Sequence, residues 1–225
     1  MQVTLLGTGT STGVPVIGCR CRVCTSEDPR DRRTRCSALI ETNGLTVVID
    51  TGPDFRNQAL RHDLREVDAV LFTHHHADHI VGMDDLRPFF FGNDRRLPCY
   101  AHPHTADVIA NTFPYIFVDG SYPGVPNLIM LSVEGPFEVH SRYGRGTTLP
   151  VEPVTVYHGN LAMYGYRVGG FAYLTDTSRI PDESFDQLEG LDVLVLDALR
   201  FEPHPTHFSF DEAIEAARRI AARET

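Results

Sequence analysis

Seven consecutive residues, Thr73-His74-His75-His76-Ala77-Asp78-His79, constrain this chain more than any other stretch. They follow the apolar run Ala69–Phe72, which reads as a buried strand, and they open a helical stretch from about Asp78 to Phe90. Side chains two apart in an extended segment point the same way, so His74 and His76 can reach one cation together. His75 points the opposite way and is left out of the set. Once the backbone turns into the helix, Asp78 and His79 can present an oxygen and a nitrogen ligand to a second cation. Imidazole plus carboxylate suits zinc, iron or manganese. A solvated loop has little use for so many histidines at a strand end.

Two later residues extend the set. His158 follows the strand Val151–Tyr157, and Asp176 follows the strand Phe171–Thr175. Ligands in α/β sheets gather beyond strand ends. Alone, His158 reads as an ordinary loop histidine and Asp176 as a turn former. The histidine cluster reverses both readings, and a carboxylate such as Asp176 can bridge two metals.

The remaining pattern alternates strands and helices. Gln2–Leu6 reads as a strand ending in a Gly/Thr-rich loop. Ala38–Thr42 and Leu45–Ile49 form a hairpin around Asn43-Gly44. A strand over Pro98–Ala101 and a helix over Thr105–Phe113 follow, then a β-rich region from Leu128 to Leu174. A short helix near Glu183–Leu188, a strand Val193–Leu196 and a helix Ser209–Ala222 complete the chain. Ser209 and Glu212 form a capping box, with Asp211 in the first turn. Tyr115–Gly124 reads as a loop over a site. This order predicts two sheet-plus-helix halves, a four-layer α/β sandwich. No linker is evident, so residues 1–225 are expected to form one domain.

The spacing His74-x-His76-x-Asp78-His79, then His158, then Asp176, resembles the metallo-β-lactamase-fold hydrolases, with an αβ/βα sandwich and a binuclear metal centre. The resemblance implies that His74, His76 and His158 bind the first of two divalent metals (zinc or manganese). It implies that Asp78 and His79 bind the second, and that Asp176 bridges them.

Gly18-Cys19-Arg20-Cys21-Arg22-Val23-Cys24 carries three thiols at the spacing of a structural-zinc half-site that needs a fourth ligand. With this Cys-rich insert near 18–36, the chain looks like the phosphoribosyl 1,2-cyclic phosphodiesterase group. Asp78–Arg87 and Pro205–Ser209 look like that group too. The resemblance implies that His207 lies at the substrate, donating a proton to the leaving oxygen or holding the phosphate. Asp85 and Arg87 are further candidates for substrate contact, though Asp84, Asp85 and Arg87 also read as a solvated helix face. His102 and His104 read as surface or turn residues, and Cys36 and Cys99 as core thiols.

The superfamily normally supplies a last histidine to the second metal after one further strand, and a nearby histidine caps the cysteine site in the phosphodiesterase group. The sequence stops at the helix Ser209–Ala222, so the fold is expected without its usual C-terminal strand and loop.

The net charge of −10 gives no basic surplus for a phosphate backbone and argues against nucleic acid as the main partner. All basic residues are arginine, which excludes Schiff-base and Walker-type lysine chemistry. No apolar run suits a membrane span. Five cysteines, three of them crowded, suit a reduced cytoplasmic thiol site better than disulfides. A homodimer is left open.

The expected function is a binuclear metal-dependent phosphodiesterase acting on a small cyclic or nucleotide-like phosphodiester. A hydroxide held between the cations attacks phosphorus. The competing readings are a tRNase Z-like RNA 3′-processing nuclease, which would need a basic arm not seen here, and an inert metal-binding relative lacking the C-terminal ligands.

Overall fold

The computed structural model describes residues 1–91, 93, 95–117 and 124–225. The chain divides into two compact units, Met1–Ser132 with His140–Thr148, and Val133–Val139 with Leu149–Thr225.

The first unit is built on six strands: β1 (Gln2–Gly7), β2 (Ser37–Thr42), β3 (Leu45–Ile49), β4 (Ala69–Phe72), β5 (Leu97–Ala101) and β6 (Leu128–Ser132). They lie side by side in chain order. The first three are antiparallel, with β2 and β3 turning at Asn43-Gly44, where both residues have positive φ. From β3 to β6 the pairing is parallel. Parallel strands are covered on both faces and read as unbroken apolar runs. Ala69-Val70-Leu71-Phe72 shows this, since all four residues are fully buried. Each large side chain of that strand contributes about 1.5–3 kcal/mol by leaving water. Val48, Val70, Phe72, Met83, Leu86 and Ile109 centre the core.

The helices of this unit are α1 (Phe55–Arg61), α2 (Ala77–Ile80), α3 (Pro103–Thr112) and α4 (Pro114–Phe117). The single helix expected from Asp78 to Phe90 is instead α2 followed by a 3₁₀ segment, Val81–Phe90. Gly82 is the cause, because its N–H donates to Thr51 O at 2.8 Å rather than continuing an α-helical ladder. Pro88 then removes a further donor. Two short contacts fix this crossing. A Cβ on Gly52 would lie 1.9 Å from Asp78 O, and one on Gly82 would lie 2.1 Å from Gly52 O. Helix α1 was not foreseen. Of the loop expected over Tyr115–Gly124, Tyr115–Phe117 belongs to α4, and residues 118–123 lie outside the described residues.

The second unit carries β7 (Phe137–His140), β8 (Thr148–His158), β9 (Leu161–Val168), β10 (Phe171–Leu174) and β11 (Val193–Leu196). Its sheet runs β11-β10-β9-β8-β7. Strands β8, β9 and β10 pair antiparallel, and β10 pairs parallel with β11. The helices are α5 (Asp182–Asp186) and α6 (Phe210–Ile220). Helix α6 opens with the expected capping box, since Ser209 Oγ accepts from Glu212 N and Glu212 Oε2 accepts from Ser209 N at 2.8 Å. Ala213, Ala216 and Ile220 bury its inner face beside Val156, Leu174 and Leu194. The helix ends at Ala221, in a left-handed conformation, and Glu224 then forms a single parallel bridge to Val193. Among the described residues no helix is long and apolar enough to cross a membrane.

Candidate metal centre

The histidine-rich turn sits at the C-terminal end of β4. His74 and His79 are buried, Asp78 is half-buried and His76 is exposed. The ring centroids of His74 lie 4.6 Å from those of His76 and 4.1 Å from those of His79. His79 Nε2 stands 3.4 Å from Asp78 Oδ2. The first unit therefore gathers His74, His76, Asp78 and His79 as the sequence suggested. His75 turns elsewhere, packing edge-on to His104 at 5.1 Å.

Asp50, just past β3, organises this turn. Its side chain is wholly buried and its φ is +60°. It accepts from Thr73 N at 2.8 Å, from Thr73 Oγ1 at 2.8 Å and from His79 Nδ1 at 2.7 Å. Because the Thr73 hydroxyl hydrogen goes to Asp50, Thr73 Oγ1 is left to accept from His74 Nδ1, 3.0 Å away. Burial pushes the Asp50 carboxyl up, while His79 and the two Thr73 donors pull it back.

The second unit has its own cluster. His158 closes β8, and its Nδ1 donates to Thr206 O at 2.7 Å. Asp176 follows β10 with φ +49° and accepts from Thr175 Oγ1 at 2.6 Å. His207 lies before α6, and its Nδ1 faces Asp197 Oδ2 at 2.9 Å. His207 Nε2 is 4.0 Å from Asp176 Oδ2. One ligand atom from each of His158, Asp176 and His207 lies within 4.8 Å of the others. Burial raises the Asp197 carboxyl, and the His207 hydrogen bond opposes this.

A common arrangement runs through both clusters. In His74, His79, His158 and His207, Nδ1 is hydrogen-bonded to an oxygen. Such a bond fixes the tautomer and aims Nε2, the orientation that metal-ligating histidines show. The residues present therefore fit divalent cations by the chemistry of their donors.

Cys19, Cys21 and Cys24 bring their sulfurs within 4.8 Å of one another. Val16 N donates to Cys24 Sγ at 3.3 Å, and the N–H groups of Cys21 and Cys24 face Cys19 Sγ and Cys21 Sγ at 3.5 Å. Hydrogen bonds to Cys24 and Cys19 lower the Cys21 thiol to about 7, so thiolate is available at neutral pH for zinc.

Other candidates settle differently. Arg87 pairs with Asp84 at 2.9 Å within the 3₁₀ segment, and Asp84 also accepts from Tyr115 Oη at 2.7 Å, so this aspartate ties the segment to α4. Asp85 is half-buried on the same segment. His102 caps α3 by accepting from His104 N. Cys99 is buried as expected, but Cys36 is only half-buried. Its thiol donates to Gly9 O at 3.1 Å, a loop carbonyl, which holds it at the sheet margin.

Sequence reasoning missed Asp50, Thr73, Thr206 and Asp197. Asp50 and Asp197 each stand directly after an apolar strand, the signal that singled out Asp176.

Residues 46–225 match the family described as the beta-lactamase superfamily domain. A crystal structure described as a new diphosphatase from the PhnP family is 46% identical, with a TM-score of 0.87, and the match covers 98% of this chain and 82% of that one. An octanoyltransferase from Porphyromonas gingivalis is 42% identical over 229 residues; the match covers 100% of this chain but only 45% of that relative, so the name belongs to a protein more than twice as long. Human tRNase Z, short form, shares the fold at a TM-score of 0.69 and 16% identity, over 100% of this chain and 91% of that one. The chain belongs to the beta-lactamase superfamily and has the metallo-β-lactamase fold.

Proposed function

We propose that the chain is a metal-dependent phosphodiesterase acting on a small cyclic or nucleotide-like phosphodiester. The observation that carries this reading is the fixing of Nδ1 in four imidazoles, which leaves each Nε2 to face a ligand or substrate. The 46% identity to a PhnP-family diphosphatase supports a phosphate compound as the substrate class.

His74, His76 and His158 would hold one cation, Asp78 and His79 a second, and Asp176 would serve both. When bound, two zinc or manganese ions supply Lewis acidity to phosphate oxygens and bring the pKa of water toward neutrality. Asp50 keeps His79 and, through Thr73, His74 in the ligating tautomer. His207 gives a proton from Nε2 to the departing oxygen. Asp197 holds the opposite nitrogen and favours the imidazolium that gives this proton. Cys19, Cys21 and Cys24 would hold a structural zinc that fixes the N-terminal insert.

Hydrolysis of bis(p-nitrophenyl) phosphate with added zinc or manganese tests the reading. Wild type should turn it over, and Asp78→Ala should lose at least about a hundredfold in kcat/KM, the scale on which charge-stabilising groups act. Full activity in Asp78→Ala would overturn the mechanism.

A further inference from the structure

We propose that the Cys-rich insert is a docking surface for an acidic protein partner with an apolar side chain at the centre of its contact. Residues 18–36 hold six arginines against three acids, a local charge of +3 in a chain of net −10, so the remaining residues carry −13. The insert is thus opposite in sign to the rest of the chain.

Its arginines are not used up within the fold. Arg35 pairs with Asp54, and Arg30 pairs with Asp28. Arg20, Arg22, Arg32 and Arg33 are exposed, and none makes an ion pair among the described residues. The backbone keeps the two pairs together. Arg33 exchanges both backbone hydrogen bonds with Val14, each 2.8 Å. Two residues on, Val16 N holds Cys24 Sγ, and Val16 O accepts from Cys19 N at 3.0 Å. One short strap, residues 14–16, therefore anchors the loop bearing Arg20 and Arg22 beside the backbone bearing Arg33.

Apolar groups stand among these charges. Ile17 is 97% exposed and Val23 is 43% exposed. Exposed aliphatic side chains in the same short insert as four exposed, unpaired arginines suit a protein surface, where arginine and apolar anchors are enriched at contacts. Single-stranded nucleic acid calls for aromatic stacking platforms between the cations, and residues 14–36 contain no Phe, Tyr or Trp. The charges and the exposed aliphatic side chains together therefore favour an acidic protein over RNA.

Fluorescence anisotropy decides it. The probes are a labelled 16-residue helical peptide of alternating Glu and Leu turns, the same peptide with Ser for Leu, and an oligouridylate of equal charge. The Glu/Leu peptide should bind at low salt and weaken as salt rises. Reversing either pair, Arg20→Glu with Arg22→Glu or Arg32→Glu with Arg33→Glu, should weaken it at least tenfold. Ile17→Ser and the Ser peptide should each weaken it several-fold. Zinc content and thermal melting of each variant show whether the insert is intact. Should the Arg20/Arg22 variant lose zinc, the Arg32/Arg33 variant, outside the cysteine loop, decides. No binding of the Glu/Leu peptide, binding indifferent to the reversals, or oligouridylate binding as tight as the peptide would each overturn the proposal. Hydrolytic activity is not a readout, so this outcome is separable from that of the phosphodiesterase reading.

Discussion

Asp50 Oδ2 and His79 Nδ1 face each other at 2.7 Å with both side chains shut off from solvent. This carboxylate touches no substrate. It acts by holding His79 directly and His74 through the Thr73 hydroxyl. Asp50→Asn keeps the shape but offers an amide where an acceptor is needed. The expected result is a loss of about 10–100-fold in metal affinity, the usual effect of removing an outer partner of a ligating histidine. Competition with a fluorescent chelator measures it, and unchanged affinity would remove Asp50 from the account.

The crossing of Gly52 and Gly82 over α2 carries a stability prediction. A methyl at Gly52 would meet Asp78 O at 1.9 Å, so Gly52→Ala must push α2 away from the 51–52 loop. The loss should be about 1–3 kcal/mol, the range for overpacking. Metal affinity should fall with it, because Asp78 and His79 ride on α2. Urea denaturation and metal titration on the same sample check both.

Helix α6 offers a milder test of the second unit. Its capping box binds two otherwise orphaned groups through Ser209 and Glu212. Ser209→Ala should cost about 1 kcal/mol. A shift of urea midpoint without a change in slope is the expected signature.

The Asp197–His207 pair predicts both a rate and a pH effect. His207→Gln should lower kcat by about 10²–10⁴, the contribution of a general acid. Asp197→Asn should lower it by about 10–100-fold, because the ring stays but its tautomer is no longer held. Burial raises the Asp197 carboxyl above its ordinary range. Protons then bind more tightly to the folded state. The stability contributed by that group is present at low pH and is lost as pH rises from the ordinary carboxylate range through the raised pKa. In Asp197→Asn this decline should flatten, as urea melts of the metal-free protein from pH 4 upward would show.

The parts legible in the sequence were those where chemistry is dense or the pattern strict. His74, His76, Asp78 and His79 announced themselves because few folds need such a run, and Ala69–Phe72 because a parallel strand covered on both faces has no polar position. The Ser209 cap was equally plain. Asp50 and Asp197 were not, since an aspartate after a strand looks like any turn former until its partner, a histidine in a distant stretch, is in view. The 3₁₀ segment after α2 escaped notice for a similar reason. Its residues are periodic, but Gly82 gives its N–H to Thr51, a contact no local pattern reveals.

The central claim of the proposed function is that His74 and His158 ligate the same cation. Metal content of purified protein, measured by mass spectrometry with His74→Ala and His158→Ala beside wild type, tests it most directly. The account predicts two cations beyond the zinc of the cysteine site in wild type, and loss of the same cation in both variants with the cysteine-site zinc kept. A His158→Ala protein that retains both cations as tightly as wild type would contradict it.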